Sequence, residues 1–349
     1  MDPGVPNMMP PSIFASDLWR AVTPPTCALG ESPFWHPIEQ KLYWVDIDHR
    51  QILRADVKTG DVQTWDMPSE PGCIAPMARG GLVIALRDGV FTADDWGADL
   101  QRRVTLPYDS TRSRANDGKC DAGGRFWVGT IDQTRSHHDA ALFCIDTGPA
   151  PPTGTPCVTC QITPDDLHAT TANGLAFSPD GRTLYWADTP QHTVWAWDYD
   201  ASGNTLGRRR VFAQFEPKPP GWQVAQPAQP VHHTPNVAAC KGDDDACAYG
   251  GRPDGASVDV QGNYWVAMYE GQRVCQFSPD GSLRAEWRVP VARPTMPCFG
   301  GKDLQTLFVT SARPPDGHAG AAELAAFPLS GAVLAMPVDV PGLPVCFFG

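Results

Sequence analysis

Apolar and polar residues alternate with a period of two along most of this chain, in short runs broken by turn residues. The stretch ANGLAFSPDGRTLYWADT, residues 172–189, shows the pattern. Leu175 and Phe177 alternate with small or polar residues, Ser178-Pro179-Asp180-Gly181 is a strong turn signal, and Leu184 and Trp186 resume the alternation. The pattern predicts a β-hairpin. Asn173-Gly174 stands at its head, although that dipeptide belongs in hairpin turns and this hairpin already has one. No long apolar run at helical spacing occurs. Pro-Asp-Gly, Lys-Thr-Gly and Gly-Gly punctuate the strands instead, which predicts an all-β chain.

The same hairpin recurs. ESPFWHPIEQKLYWVDI begins at Glu31, NDGKCDAGGRFWVGTID at Asn116 and DGASVDVQGNYWVAM at Asp254. Each carries an aromatic pair in its second strand: Tyr43-Trp44, Phe126-Trp127, Tyr185-Trp186 and Tyr264-Trp265. Two weaker copies begin at Cys73 and Cys298. Successive heads lie 42 to 57 residues apart, except for 81 residues between Asn173 and Asp254. A second hairpin follows each first one, so each repeat holds four strands, the signature of a propeller blade. Six copies predict a six-bladed β-propeller. Residues 1–16 read as a loose tail and 17–349 as a single propeller domain, with a long loop insertion at 216–253. Asp46, Asp132 and Asp188 close the second strands and read as structural.

In a propeller the first strand of each blade is innermost, and all six begin at one face. The six heads therefore form a ring, in which Glu31, Asn116, Asn173 and Asp254 gather two carboxylates and two amides. Carboxylates packed together without a cation are costly, so this ring points to a divalent cation held by oxygen: Ca²⁺, Zn²⁺, Mg²⁺, Mn²⁺ or Fe²⁺. The bland alternative for any one of these residues is a strand cap in a water-lined channel.

Composition narrows the function. The net charge of −12 disfavours nucleic acid and anionic membranes as partners. No stretch has the ~20 apolar residues of a membrane helix, and the first residues lack a signal-peptide pattern. The 11 cysteines have no regular spacing. Cys157 and Cys160 form one C-x-x-C without a second pair, and Cys240 and Cys247 flank an acidic loop. Reduced thiols in a cytoplasmic protein are the expectation, and nothing calls for an obligate protein partner. A Gly-x-Ser-x-Gly elbow, a His-Glu-x-x-His motif and a P-loop are all missing. His36 and His168 lie near the ring motifs and read as packing or supporting residues.

GESPFWHP, RANDGKCDAGGRFWVGT, TTANGLAFSPDGRTLYWADT, PDGASVDVQGNYWVAMYEGQRV and CFGGKDLQTLFVTSA, in this order, resemble the SMP-30/regucalcin/gluconolactonase family. The likeness spans residues 27–340 and is strongest to bacterial sugar-acid lactonases such as xylonolactonase. It implies a six-bladed propeller, a metal on Glu31, Asn173 and Asp254, Asp254 as the catalytic group, and Arg114 and Asn116 on substrate hydroxyls. Thr134 stands where the animal members carry a glutamate, so the animal sugar preference does not transfer. The implied activity is hydrolysis of a sugar-acid lactone by metal-activated water. A calcium-binding, non-catalytic protein of the regucalcin kind, a related propeller esterase and an interaction propeller are the competing readings. The long loop either forms part of the wall or lid of the substrate site, with Trp222 or the His232-His233 pair facing the substrate, or is an irregular surface excursion that folds away from it.

Overall fold

A computed structural model describes residues 12–13, 18–146, 157–224 and 249–349. Its strands form six sheets, each built on four antiparallel strands that follow one another as a meander in five of the blades, and one sheet carries a fifth, parallel strand at its edge. Blade one comprises Gly30–His36, Lys41–Asp46, Gln51–Ala55 and Val62–Asp66, counted outward from the centre. The other innermost strands are Cys73–Pro76, Ser113–Cys120, Ala172–Phe177, Arg252–Val258 and Pro294–Gly300. Each contacts the innermost strand of the next blade, and the last contacts the first, so the ring is closed. The six-bladed propeller expected from the repeat is the observed fold.

The aromatic pairs explain why the blades stack. Neighbouring residues of a strand point to opposite faces of the sheet. Tyr43 therefore enters the core between blades one and two, and Trp44 the core between blades six and one. Tyr185 and Trp186 divide in the same way between the interfaces on either side of blade four. Six apolar clusters result, one at each blade interface. Asp46 and Asp188 accept backbone N–H groups from the segments entering their blades, and Asp132 accepts those of the turn that follows it. These are the structural roles expected of them.

Two features depart from the repeat as read. In blade six Cys298 lies inside the innermost strand rather than at its head; the strand starts at Pro294, and Thr295 stands nearer the ring. The Cys298 copy lacks a polar head that would mark its start. That blade also takes its outermost strand from the other end of the chain: Arg20–Ala21 pairs with Leu334–Pro337. Trp19 and Val22 on either side of it are buried. Of the segment expected to be a loose tail, Ser12–Ile13 runs parallel to Glu286–Trp287 along the edge of blade five, and its other residues lie outside those described.

A helix, His318–Ala326, lies between the second and third strands of blade six. It is pinned by Arg293, whose guanidinium grips Glu323 with two bonds of 2.8 and 2.9 Å. At the opposite end of the channel the segment Pro341–Gly349 crosses the opening. It pairs with Val258, Met77 and Gly124 in turn. No helix among the described residues is long and apolar enough to cross a membrane.

Candidate active site

The innermost strands share one irregularity. Five of the six carry a β-bulge at the ring: after Glu31, Ala115, Asn173, Pro253 and Pro294. A bulge places two residues opposite one and turns side chains that would otherwise alternate. It accounts for Asn173-Gly174. Gly174 adopts φ +61°, a left-handed conformation that glycine takes without steric cost. Its carbonyl accepts the Tyr264 hydroxyl at 2.8 Å. The pair forms not a hairpin turn but a bulge within a strand, and Asn173 sits at its edge.

Of the four expected heads, Asn116 and Asn173 bond directly, and the Asp254 charge reaches Glu31. Asn116 donates to the Asn173 side-chain oxygen at 2.8 Å and to the Ala172 carbonyl at 2.9 Å. Arg114 donates to the Asn116 side-chain oxygen and to the Ala115 carbonyl, each at 2.8 Å. Asn173 donates to Thr189 Oγ1 at 2.8 Å, and Thr189 donates to the Pro253 carbonyl at 2.7 Å, next to Asp254. Arg114, Asn116, Asn173 and Asp254 are all buried, and Glu31 is half-buried.

Glu31 and Asp254 are close enough for their charges to oppose each other. Burial raises the Glu31 pKa well above the usual range, and the nearby charges of Asp254 and Asp117 raise it further. Burial likewise raises Asp254, with Asp117 adding to it and Arg252 opposing. Asp117 itself is pushed up to about 6, chiefly by burial. It is the residue the repeat did not single out. One oxygen accepts the Leu175 N–H at 2.8 Å. The other, Oδ1, is buried without a partner among the described residues. A regular strand would have turned Asp117 away from Asn116, and the bulge after Ala115 makes it a third carboxylate of the cluster. Its position in RANDGKC was the only signal available.

Among the described residues, no three His, Cys, Asp or Glu side chains form a metal-holding group by themselves. A cation here would need the Asn173 amide oxygen as well as the carboxylates. The donor set is all oxygen, of the kind that suits hard divalent cations. The unpartnered Asp117 Oδ1 and the mutual repulsion of three carboxylates, two of them buried, fit such a guest.

The surrounding residues are placed plainly. His36 is buried among the Phe34, Tyr43 and Phe347 rings, and exposed His168 caps a short helix. Thr134 hydrogen-bonds Asp132 and the His137 ring. Cys157 and Cys160 are exposed free thiols. His232, His233, Cys240 and Cys247 lie outside the described residues. Trp222 stacks edge-on against Tyr249, 4.8 Å between centroids. Below the ring the channel holds a cavity of about 90 Å³ lined by Lys119, Cys120, Phe177, Met296 and Cys298.

Fold and site define a six-bladed propeller with a carboxylate-and-amide cluster at one end of its channel. Residues 29–313 match the family described as SMP-30/Gluconolactonase/LRE-like region, and the chain belongs to that family. It is 37% identical over 314 residues to a 6-deoxy-6-sulfogluconolactonase of Pseudomonas putida, covering 90% of this chain and 92% of the relative. It is 30% identical over 322 residues to the pentonolactonase XacC of Haloferax volcanii, covering 91% and 94%. Among solved structures, a calcium-binding regucalcin of Agrobacterium tumefaciens superposes with a TM-score of 0.75 at 24% identity, covering 93% and 94% of the two chains.

Proposed function

We propose that this protein is a hydrolase that opens sugar-acid lactones, and that it uses a divalent cation held by Glu31, Asn173 and Asp254. The observation that carries this reading is the convergence of buried carboxylates on the bonded Arg114–Asn116–Asn173 chain. Membership of the family and likeness to two relatives named for lactones support the substrate class.

A lactone is a cyclic ester. Water adds to its carbonyl carbon, the ring C–O bond breaks, and the open hydroxy acid leaves. A divalent cation held by Glu31, Asn173 and Asp254 would supply Lewis acidity and lower the pKa of water. Asp254 takes the proton from the attacking water and returns it to the departing ring oxygen. Arg114 offers the N–H groups not directed at Asn116 and Ala115 to sugar oxygens. Asn116, with both N–H groups directed to Asn173 and Ala172, holds the Asn173 amide in place and leaves a lone pair of its own oxygen for a substrate hydroxyl.

Chelation removes activity under this reading, and adding back divalent metals one at a time restores it. Asp254→Asn lowers kcat by about 10²-fold or more and lowers metal content. Arg114→Ala lowers kcat/KM by about tenfold or more with metal content retained. Full activity in Asp254→Asn would sink the mechanism.

A further inference from the structure

A second group of polar side chains, unused by this chemistry, stands beside the site on the same face, between blades four and five. Thr189 ties the two together, since it bonds Asn173 and the Pro253 carbonyl, and His192 ends the same turn. His192 and Tyr249 are 6% and 5% exposed, with ring centroids 5.7 Å apart. Lys218 and Arg252 both reach Glu270, at 2.9 and 3.0 Å. Two cations thus share Glu270, and Arg252 is also near enough to Asp254 to lower its pKa.

Three polar atoms in this group are buried and have no partner among the described residues: Tyr249 Oη, Arg252 Nε and His192 Nδ1. All three are donors. His192 is held neutral, its pKa lowered to about 4 chiefly by burial and next by Arg252. Its Nε2 accepts the Lys218 backbone N–H at 3.4 Å, so its proton sits on Nδ1. Arg252 is near enough to shift the pKa of both Tyr249 and His192. A buried donor without an acceptor costs about 1–3 kcal/mol. Three of them together, beside two cations that share one carboxylate, have no acceptor among the described residues, and an anion would supply one.

We propose that Lys218, Arg252, Tyr249 and His192 form an anion subsite that holds an acidic group on the lactone substrate, at the end remote from the ester. Lys218 and Arg252 are its solvent-facing members, with side chains 34% and 19% exposed. Trp222, beneath the Lys218 ammonium at 5.2 Å, supports its outer edge. The proposal rests on the lactonase reading for its substrate and on the unpartnered donors for its chemistry. A purely structural account would have Arg252 only balance Asp254, and it predicts no preference for charged substrates.

The test compares gluconolactone with its 6-deoxy-6-sulfo derivative on the whole protein. The wild type has the lower KM for the sulfonated lactone. Lys218→Met and Arg252→Met shrink the ratio of the two KM values by about tenfold, Arg252→Lys keeps most of it, and circular dichroism verifies folding. Calorimetry of the two ring-opened acids gives a readout independent of turnover: the sulfonated acid binds the wild type more tightly, and Lys218→Met removes the difference. An unchanged ratio in the variants, or no wild-type preference for the sulfonated compound in either experiment, overturns the subsite. If neither lactone is opened, the lactonase reading fails, and calorimetry still decides the subsite.

Discussion

At the residue scale, the site is built from groups that are unfavourable alone. Asp117 shows this most directly, because its pKa of about 6 sets a stability window. The unfolded chain ionises this carboxyl near its ordinary value of 3.8. Below that, both states are protonated and burial carries no charge cost. Between 3.8 and about 6 the unfolded state loses its proton first, so stability falls as pH rises. Above about 6 the full cost is present, on the order of 3 kcal/mol. Asp117→Asn therefore stabilises the chelated protein at pH 7 by up to about that amount, and leaves it unchanged near pH 3. Denaturant melts at the two pH values check this. Equal stability of both proteins at pH 7 would show that the buried carboxyl is not under strain.

At the element scale, the bulged innermost strand aims the site. Gly174 is its most constrained position: an added Cβ would lie 2.4 Å from the Tyr264 hydroxyl, at a φ of +61°. Gly174→Ala is expected to cost about 2 kcal/mol or more and to displace Asn173. Denaturant midpoint and kcat/KM should both fall. A variant with wild-type turnover would show that the bulge does not position the amide.

At the scale of the whole molecule, two segments hold the ring shut. Arg20–Ala21 completes blade six, and Pro341–Gly349 crosses the channel opposite the site. Phe348 anchors the crossing, buried beside Phe126 with 6.2 Å between centroids. Phe348→Ala should lower unfolding stability by about 3 kcal/mol while the folded protein keeps its kcat, because the site lies at the other end of the channel. Thermal melts and kinetics at 25 °C separate the two effects. Loss of kcat in folded protein would mean that the crossing shapes the site.

The alternation and the repeat of the aromatic pairs were sufficient for the blade count and for the strand order within blades one to five, because both are local: period two follows from strand geometry, and each of those blades is a contiguous meander. Four ring residues were legible for the same reason, since a polar head on an apolar strand is visible in one dimension. Asp117 was not, because whether it faces the channel depends on a bulge formed by pairing with the next strand. The start of blade six, without a polar head, was hidden likewise. The closure by Arg20–Ala21 and the crossing by Pro341–Gly349 join residues hundreds of positions apart, with no local signature. So too the cluster of Lys218, Arg252, Tyr249 and His192: each is an ordinary residue in its own segment, and only the packing of two blades removes water from their donors and leaves them without acceptors.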